Sequence, residues 1–254
     1  MRWKDTEERE KYLNEVNTRP SIKDRGVYIP SCLCIISRYP FLKTFTSILQ
    51  SINDNYKSYL EFPLESYIET LICRIPLPPR GFYQVSLQLG RCLSNINIEQ
   101  PSLNKLPLLD VDFTLLPKQL SLENIIKILC TMLLERNLLF VCDDESMITP
   151  IAESIICLMF PFDQQLVYIP VLPCNMIDFL GSPVPYIVGI HNSLFESAID
   201  IISGGTCIVN INEDAVYYKE KGEDEDDIEE LAELPRHEID KVIKALSDSW
   251  YIFG

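Results

Sequence analysis

The stretch from Ser121 to Ser193 constrains the fold more than any other part of the chain, because helical and strand patterns alternate along it. A helix is predicted over residues 122–135, where apolar residues recur with the 3.6-residue period of one helix face: Leu122, Ile125, Ile126, Leu129 and Leu133. The run from Leu138 to Cys142 has no polar position, which is typical of a strand that is buried on both sides. This pattern predicts a sheet covered by helices.

The alternation continues to the end of the stretch and beyond it. Thr149 and Pro150 predict the start of a second helix, with Thr149 as the N-cap and Pro150 at the first helical position. Further elements follow in chain order: strands over 166–172 and 185–190, a helix over 194–202 that Gly204-Gly205 stops, and a strand over 206–211. Helices that alternate with buried strands predict the α/β class.

The flanking segments have weaker patterns. Residues 1–26 are charged and predict only a short helix and a linker. The other predicted elements are a strand over 27–37, a helix over 41–49, an irregular polar segment over 50–60, a helix over 64–73, a half-buried strand over 82–89, a short strand within 95–110 and a last helix from Ile239 to Leu246.

Charge and hydropathy exclude several classes of function. The formal net charge is −15, which argues against nucleic-acid binding and against electrostatic docking on an anionic membrane. Residues 223–230 contain seven acids in eight positions and predict an extended, disordered connector. The apolar runs are too short to span a bilayer and the charged N-terminus lacks a signal peptide, so we expect a cytoplasmic protein.

The nine cysteines predict free thiols rather than disulfides. There is no CxxC, and only two histidines are present, so neither a disulfide framework nor a zinc site is indicated. Most cysteines lie in apolar runs and are expected to be buried: Cys73, Cys130, Cys142, Cys157 and Cys207. Cys32-x-Cys34 places two thiols on one face of the first predicted strand, where packing is favoured over metal binding.

Few residues could carry chemistry, and each has a structural alternative. His191 and Ser193 follow a strand and could form a dyad, but no GxSxG is present, so Ser193 is favoured as the N-cap of a helix from Leu194. Gly204-Gly205 belongs to no phosphate-loop motif. The cluster Asp143-Asp144-Glu145 fits a solvated loop or a surface for a basic partner. The residues alone therefore predict no catalytic site.

Three strings nevertheless resemble the central segment of the DENN domain family: LLERNLLFVCDDESMIT, MFPFDQQLVYIPVLP and FLGSPVPYIVGIHNSL. Upstream, SCLCIISRYPFLKTF is similar to the end of the family's N-terminal module, and LEFPLESYIETLICRIPLPPRG to the entry of the central one. LPRHEIDKVIKAL resembles the start of the downstream module. The resemblance departs from the family pattern at Gln164, which replaces an aromatic residue, and at Leu166, which replaces a histidine.

The resemblance implies a Rossmann-like central sheet with helices on both faces, preceded by a partial longin-like α/β lobe. The implied division is 1–55 for the partial longin-like lobe, 56–215 for the central module, 216–234 for an acidic linker and 235–254 for the start of the downstream module. About 27 residues precede the first predicted strand, so several strands of a longin sheet are missing.

The resemblance also implies guanine-nucleotide exchange on a Rab-type small GTPase in membrane traffic. Such a protein is expected to need no cofactor and no metal of its own, and to be recruited to vesicle or endomembrane surfaces through partners. The residues expected to contact the GTPase lie at the lobe junction and in the loops around the central sheet: Ser37, Arg38, Tyr39, Pro40, Asp143, Asp144, Pro183 and Pro185. The prolines also fit a purely structural role as strand boundaries.

Three alternatives stay open at this stage. The first is a non-catalytic DENN-fold interaction module in a trafficking or GTPase-regulating complex, suggested by the incomplete longin-like lobe. The second borrows from longin–DENN proteins that activate GTP hydrolysis through an arginine, for which Arg38 is the nearby candidate. The third is an α/β hydrolase that uses His191 and Ser193.

Overall fold

The computed structural model describes residues 32–57, 63–81, 83–87, 96–219 and 236–250. The chain divides between Ser37 and Arg38 into two compact units. In the first unit, residues 32–37 contain no helix or strand. The predicted strand over 27–37 is therefore wrong for 32–37, because the apolar pattern here marks a segment without a paired neighbour; residues 27–31 lie outside the described part.

Two helices and a hairpin form the first part of the second unit. Helix α1 spans Leu42–Lys57 and confirms the helix predicted over 41–49, but it continues through residues 50–57, where an irregular segment was predicted. Helix α2 spans Leu64–Glu69 and continues as a π-helical turn over Thr70–Arg74. Strands β1 (Gln84–Leu87) and β2 (Ile96–Glu99) pair antiparallel.

A distant aspartate fixes the start of helix α1. The backbone N–H of Thr44 donates to Asp110 Oδ2 at 2.8 Å, and the N–H of Lys43 donates to the Asp110 carbonyl at 3.0 Å. Both N–H groups belong to the first helical turn, where no intrahelical acceptor exists. Asp110 therefore joins α1 to the segment that leads into the main sheet.

The main sheet has five strands in the order β4-β5-β3-β6-β7. The strands are β3 (Leu138–Cys142), β4 (Val167–Ile169), β5 (Tyr186–His191), β6 (Cys207–Asn210) and β7 (Ala215–Tyr218). β3, β4, β5 and β6 run parallel, whereas β7 pairs antiparallel with β6. The predicted strands around β3, β5 and β6 are confirmed, β4 is shorter than predicted, and β7 was not predicted.

Helices cover both faces of this sheet, which confirms the α/β class. On one face, α3 (Leu115–Gln119), α4 (Leu122–Leu133) and α5 (Glu145–Leu158) pack against alternate strand residues such as Leu138 and Phe140. On the other, a 3-10 helix (Cys174–Gly181) and α6 (Phe195–Ile199) pack against Leu139 and Val141. All five residues of β3 are buried, as expected for a doubly covered strand.

Two details of the predicted helices are wrong. Helix α5 begins after Asp144 rather than after Thr149, so Pro150 lies inside the helix. Asp144 supplies a side-chain cap six residues before Pro150, and the helix continues through Pro150 although that residue has no N–H to donate. In α4 the buried face contains Asn124, Ile125 and Ile128, whereas Leu133 is 53% exposed. The predicted apolar face was therefore rotated towards solvent.

Gly189 in β5 allows the sheet, the segment after β4 and helix α5 to approach closely. A Cβ atom at this position would lie 2.1 Å from the Pro170 carbonyl oxygen and 2.4 Å from Ile148 Cγ2. The Gly189 carbonyl also accepts from the Leu172 N–H at 2.8 Å. Residues after β4 are held against β5 through this contact.

The remaining predictions concern the last helix, the thiols and membrane spans. Helix α7 (Arg236–Trp250) confirms the predicted last helix, while the acidic run of 223–230 lies outside the described residues. Cys142, Cys157 and Cys207 are buried as predicted, but Cys130 is only partly buried, and Cys73, in the π-helical turn, is exposed. No helix in the described segments is both long and apolar enough to cross a membrane.

Candidate functional site

An open depression of about 820 Å³ lies at the carboxyl ends of β3, β4 and β5. Its lining comes from the three segments that leave these strands: Asp143, Asp144, Glu145, Ser146, Val171, Leu172, Pro173, Cys174, His191, Ser193 and Leu194. No lysine or arginine belongs to the lining, and three carboxylates do. The depression therefore favours a basic group over an anionic ligand.

The topology explains why the depression forms here. β3 and β5 are neighbours and end at the same level, with Cys142 opposite His191. The chain leaves β3 through α5 on one face and leaves β5 through α6 on the other. A crevice opens where connections from adjacent parallel strands diverge to opposite faces, and open α/β sheets bind ligands at such points.

Asp143 joins the loops that follow three strands. Its Oδ1 accepts from Asn192 Nδ2 at 2.8 Å, after β5, and its Oδ2 accepts from Asn212 Nδ2 at 2.9 Å, after β6. Asn212 also accepts from the Cys142 thiol at 3.3 Å. Asp143 was predicted to contact a partner, and in this structure both of its oxygens hold the loops together.

Asp144 is the N-cap of helix α5. Its Oδ1 accepts from the Ser146 hydroxyl at 2.6 Å and from the Ser146 backbone N–H at 2.9 Å. These two hydrogen bonds hold the pKa of the Asp144 carboxyl below its usual value, and the one from the hydroxyl has the larger effect. The carboxylate is consequently charged at neutral pH and faces the depression together with Glu145.

His191 and Ser193 form a local cap rather than a catalytic arrangement. His191 Nδ1 accepts from the Ser193 backbone N–H at 3.1 Å and lies 2.8 Å from the Ser193 hydroxyl. Ser193 was predicted as the N-cap of a helix from Leu194, but the 3-10 helix Asn192–Leu194 begins two residues earlier and His191 caps it. Among the described residues no carboxylate hydrogen-bonds to His191, so the third group of a hydrolase triad is missing.

The predicted residues before α1 are all exposed. Ser37 ends the first compact unit, and Arg38 begins the second. The Tyr39 ring lies 6.0 Å from the Phe41 ring, and the Tyr39 carbonyl accepts from the Phe41 N–H at 2.9 Å. Tyr39 and Pro40 thus form the turn that leads into α1, and their contact with a GTPase stays a prediction.

Pro183 and Pro185 lie at the amino ends of the strands, and the depression lies at their carboxyl ends. They precede β5, and the Pro185 carbonyl accepts from the Val167 N–H at the start of β4. Since β5 advances by roughly 3.3 Å per residue from Tyr186 to His191, the two ends of this strand are about 17 Å apart. Asp143 and Asp144 therefore share a surface with each other and not with the two prolines.

Several residues of the depression were not predicted as site residues. Ser146 lies two residues after the predicted Asp144, and Leu172 lies near no predicted site residue. Asn192 and Asn212 are outside the lining and contribute only through Asp143. A sequence signal existed for one of them, because Asp-x-Ser after a buried strand is a helix-capping pattern. In the described part of the chain no three His, Cys, Asp or Glu side chains are grouped as metal ligands.

The sequence model of the DENN (AEX-3) domain family matches residues 28–214 of the chain. This range includes strands β3 to β6 of the main sheet and every residue that lines the depression, and it ends just before β7.

Three curated relatives carry the same domain name. The chain is 28% identical over 194 residues to the DENN domain and WD repeat-containing protein SCD1 of Arabidopsis thaliana, which covers 74% of this chain and 16% of that protein. It is 29% identical to mouse DENN domain-containing protein 1A over 72% of this chain and 17% of the relative. For mouse DENN domain-containing protein 2C the identity is 28%, over 79% of this chain and 22% of the relative. The chain thus spans about a fifth of the length of these relatives.

Proposed function

The chain belongs to the DENN (AEX-3) domain family, and on this premise we propose that it is a guanine-nucleotide exchange factor for a Rab-type small GTPase in membrane traffic. The observation that carries the proposal is the family match, which covers the four parallel strands of the main sheet. In this proposal the main sheet is the Rossmann-like central lobe, residues 1–55 belong to a longin-like lobe, and recruitment to vesicle or endomembrane surfaces occurs through partners.

Nucleotide exchange of this kind requires tight binding to the GTPase. It does not require a nucleophile or a general base. The exchange factor binds the nucleotide-free GTPase more tightly than the loaded one, and by thermodynamic reciprocity it weakens nucleotide binding by the same factor. A coupling of about 4 kcal/mol corresponds to roughly a thousandfold change in nucleotide affinity. Displacement of the switch loops that hold phosphate and magnesium is the physical means. The nucleotide and its metal belong to the partner.

The depression is our candidate for part of the contact surface. It is open, it is assembled from the ends of three parallel strands, and its charged groups are all acidic. Such a surface is complementary to lysine or arginine on a partner, and charge complementarity mainly sets the association rate and the orientation of docking. Glu145 is the best residue for a test, because it is exposed, lines the depression and accepts none of the hydrogen bonds found among the described residues.

The test measures release of a fluorescent GDP from a panel of Rab-type GTPases. We expect the chain to accelerate release from at least one of them, and Glu145→Lys to reduce that acceleration about tenfold, which corresponds to about 1.4 kcal/mol. Glu123→Lys is the matched control, because Glu123 is also exposed in the first turn of a helix but does not line the depression. Both changes oppose the helix dipole in the same way.

Each outcome distinguishes between the hypotheses. No acceleration with any GTPase, at concentrations that saturate binding, would remove the exchange function. Stable capture of a GTPase without GDP release would instead favour the non-catalytic interaction module, which the missing strand over 32–37 also favours. Equal exchange by the two variants would leave the function in place and move the contact surface away from the depression.

A further inference from the structure

Two cysteines in the first compact unit lie unusually close together. Cys32 Sγ and Cys34 Sγ are 3.4 Å apart and share a hydrogen bond. Both side chains are exposed, and Leu33 between them is also exposed. Residues 32–37 form neither helix nor strand. The sequence alone favoured a packing role for this pair, but exposed thiols pack against little.

We propose that Cys32 and Cys34 are a redox-active dithiol, which closes to an intramolecular disulfide by exchange with a low-molecular-weight disulfide such as oxidised glutathione. This inference does not depend on the proposed exchange function.

The geometry permits the bond. A disulfide needs its sulfur atoms about 2.05 Å apart and its Cα atoms within about 6.8 Å. Two residues of extended chain advance by roughly 6.6 Å and place both side chains on the same side. The sulfur atoms therefore need to approach by about 1.4 Å, which rotation of two exposed side chains can provide. No helical or strand hydrogen bonds restrain residues 32–37 during this adjustment.

The chemistry balances with one disulfide molecule. A Cys32 thiolate attacks one sulfur of the small disulfide, forms a mixed disulfide and releases the first thiolate. Cys34 then loses its proton and attacks the Cys32 sulfur, which closes the ring and releases the second thiolate. The two cysteines lose two electrons and two protons, and the small disulfide becomes two thiols. The hydrogen bond to Cys32 raises the pKa of the Cys34 thiol in the reduced pair, which makes Cys34 less available for the first attack.

The other described cysteines lack either an exposed, reactive thiol or a second thiol nearby. Cys142, Cys157 and Cys207 are buried, and burial raises the pKa of each thiol, so they react slowly. Cys73 and Cys174 are exposed, but across the described ranges neither has a second thiol within hydrogen-bonding distance. With oxidised glutathione these two can therefore form mixed disulfides, but no ring with another described cysteine. A structural zinc site needs four ligands, and among the described residues no third His, Cys, Asp or Glu joins the pair.

Trypsin provides a direct assay, because cleavage after Arg25 and Arg38 releases a peptide that contains Cys32 and Cys34 and no other cysteine. Cleavage after Lys57 and Arg74 releases a second peptide in which Cys73 is the single cysteine, an internal control. The reduced full chain is incubated with oxidised glutathione, quenched in acid, alkylated, digested and measured by mass spectrometry.

We expect the 26–38 peptide to lose two hydrogen atoms, to resist alkylation and to carry no glutathione, while the 58–74 peptide carries one glutathionyl group. Cys32→Ser and Cys34→Ser should each abolish closure and leave a stable glutathionyl adduct on the surviving cysteine. Cys73→Ser should leave closure unchanged. Two stable adducts on the wild-type 26–38 peptide, or two free thiols there while Cys73 is modified, would each overturn the proposal.

Discussion

The contact around Gly189 makes a sharp prediction about stability. Replacement by alanine adds a Cβ atom 2.1 Å from the Pro170 carbonyl oxygen and 2.4 Å from Ile148 Cγ2, whereas ordinary contacts lie at 3.4–4 Å. The first obstacle is backbone and cannot rotate away. The segment after β4 and helix α5 must therefore both move by about 1 Å or more.

The expected magnitude follows from three contributions. Overpacking of a close-packed interior costs about 1–3 kcal/mol. The hydrogen bond from the Leu172 N–H to the Gly189 carbonyl, 2.8 Å long, is weakened by the same displacement and is worth about 1 kcal/mol. Alanine also restricts the unfolded chain, which offsets about 0.4–1 kcal/mol. We expect Gly189→Ala to lower the free energy of unfolding by about 2–3 kcal/mol.

The assay is urea denaturation followed by far-ultraviolet circular dichroism. Gly181→Ala is the matched control, because its Cβ would lie 3.3 Å from Ile201 Cγ2, a side-chain atom that can move. We expect that variant to change stability by less than about 1 kcal/mol, within the range of surface substitutions and compensated by the more restricted unfolded chain. If Gly189→Ala unfolds at the same urea concentration as Gly181→Ala, the close approach is not rigid and the reasoning fails.

Three further predictions concern polar groups of the main sheet. Because the pKa of the Asp144 carboxyl is lowered in the folded chain, the charged carboxylate stabilises the fold at pH values above the unfolded pKa of 3.8. This stabilisation is lost as the pH falls through the folded pKa. The difference in urea midpoint between wild type and Asp144→Ala should therefore be full at pH 6 and shrink below pH 3.8. Asn124→Ala should cost about 1–2 kcal/mol in the same assay, because the buried amide donates to the carbonyl and side chain of Asp214; no loss would show that water replaces it. Thr131→Val should cost about 1 kcal/mol by removing the 3.0 Å hydrogen bond to the Tyr218 hydroxyl, and a double-mutant cycle with Tyr218→Phe should show coupling; additive effects would contradict it.

The sequence was sufficient for the elements whose pattern reflects burial. Leu138–Cys142 is apolar throughout because the strand lies between two helical layers, and this requirement is visible in the residues themselves. The proline-bounded strings identified the family because they recur in a fixed order. In contrast, residues 32–37 have a strand-like pattern, but strand formation depends on a pairing partner, which composition does not encode.

The candidate site was harder to predict because its members come together through topology. Asp143 is itself one of the residues predicted for the site, but its partners Asn192 and Asn212 are 49 and 69 residues away. Their proximity depends on the order of β3, β5 and β6 in the sheet, which local patterns do not determine. Pro150 shows the reverse error, because a local rule for helix starts was overridden by the Asp144 cap, five residues upstream of the predicted N-cap Thr149.

The two hydrogen bonds of Asp143 have a consequence for the kinetics of association. They hold the loops after β5 and β6 against the end of β3 before any partner arrives. A partner that docks on this edge therefore meets a surface that is already ordered, and little conformational freedom is lost in the encounter. We expect that loss of the two hydrogen bonds of Asp143 slows productive binding of a partner, although the residues that form the surface stay almost the same.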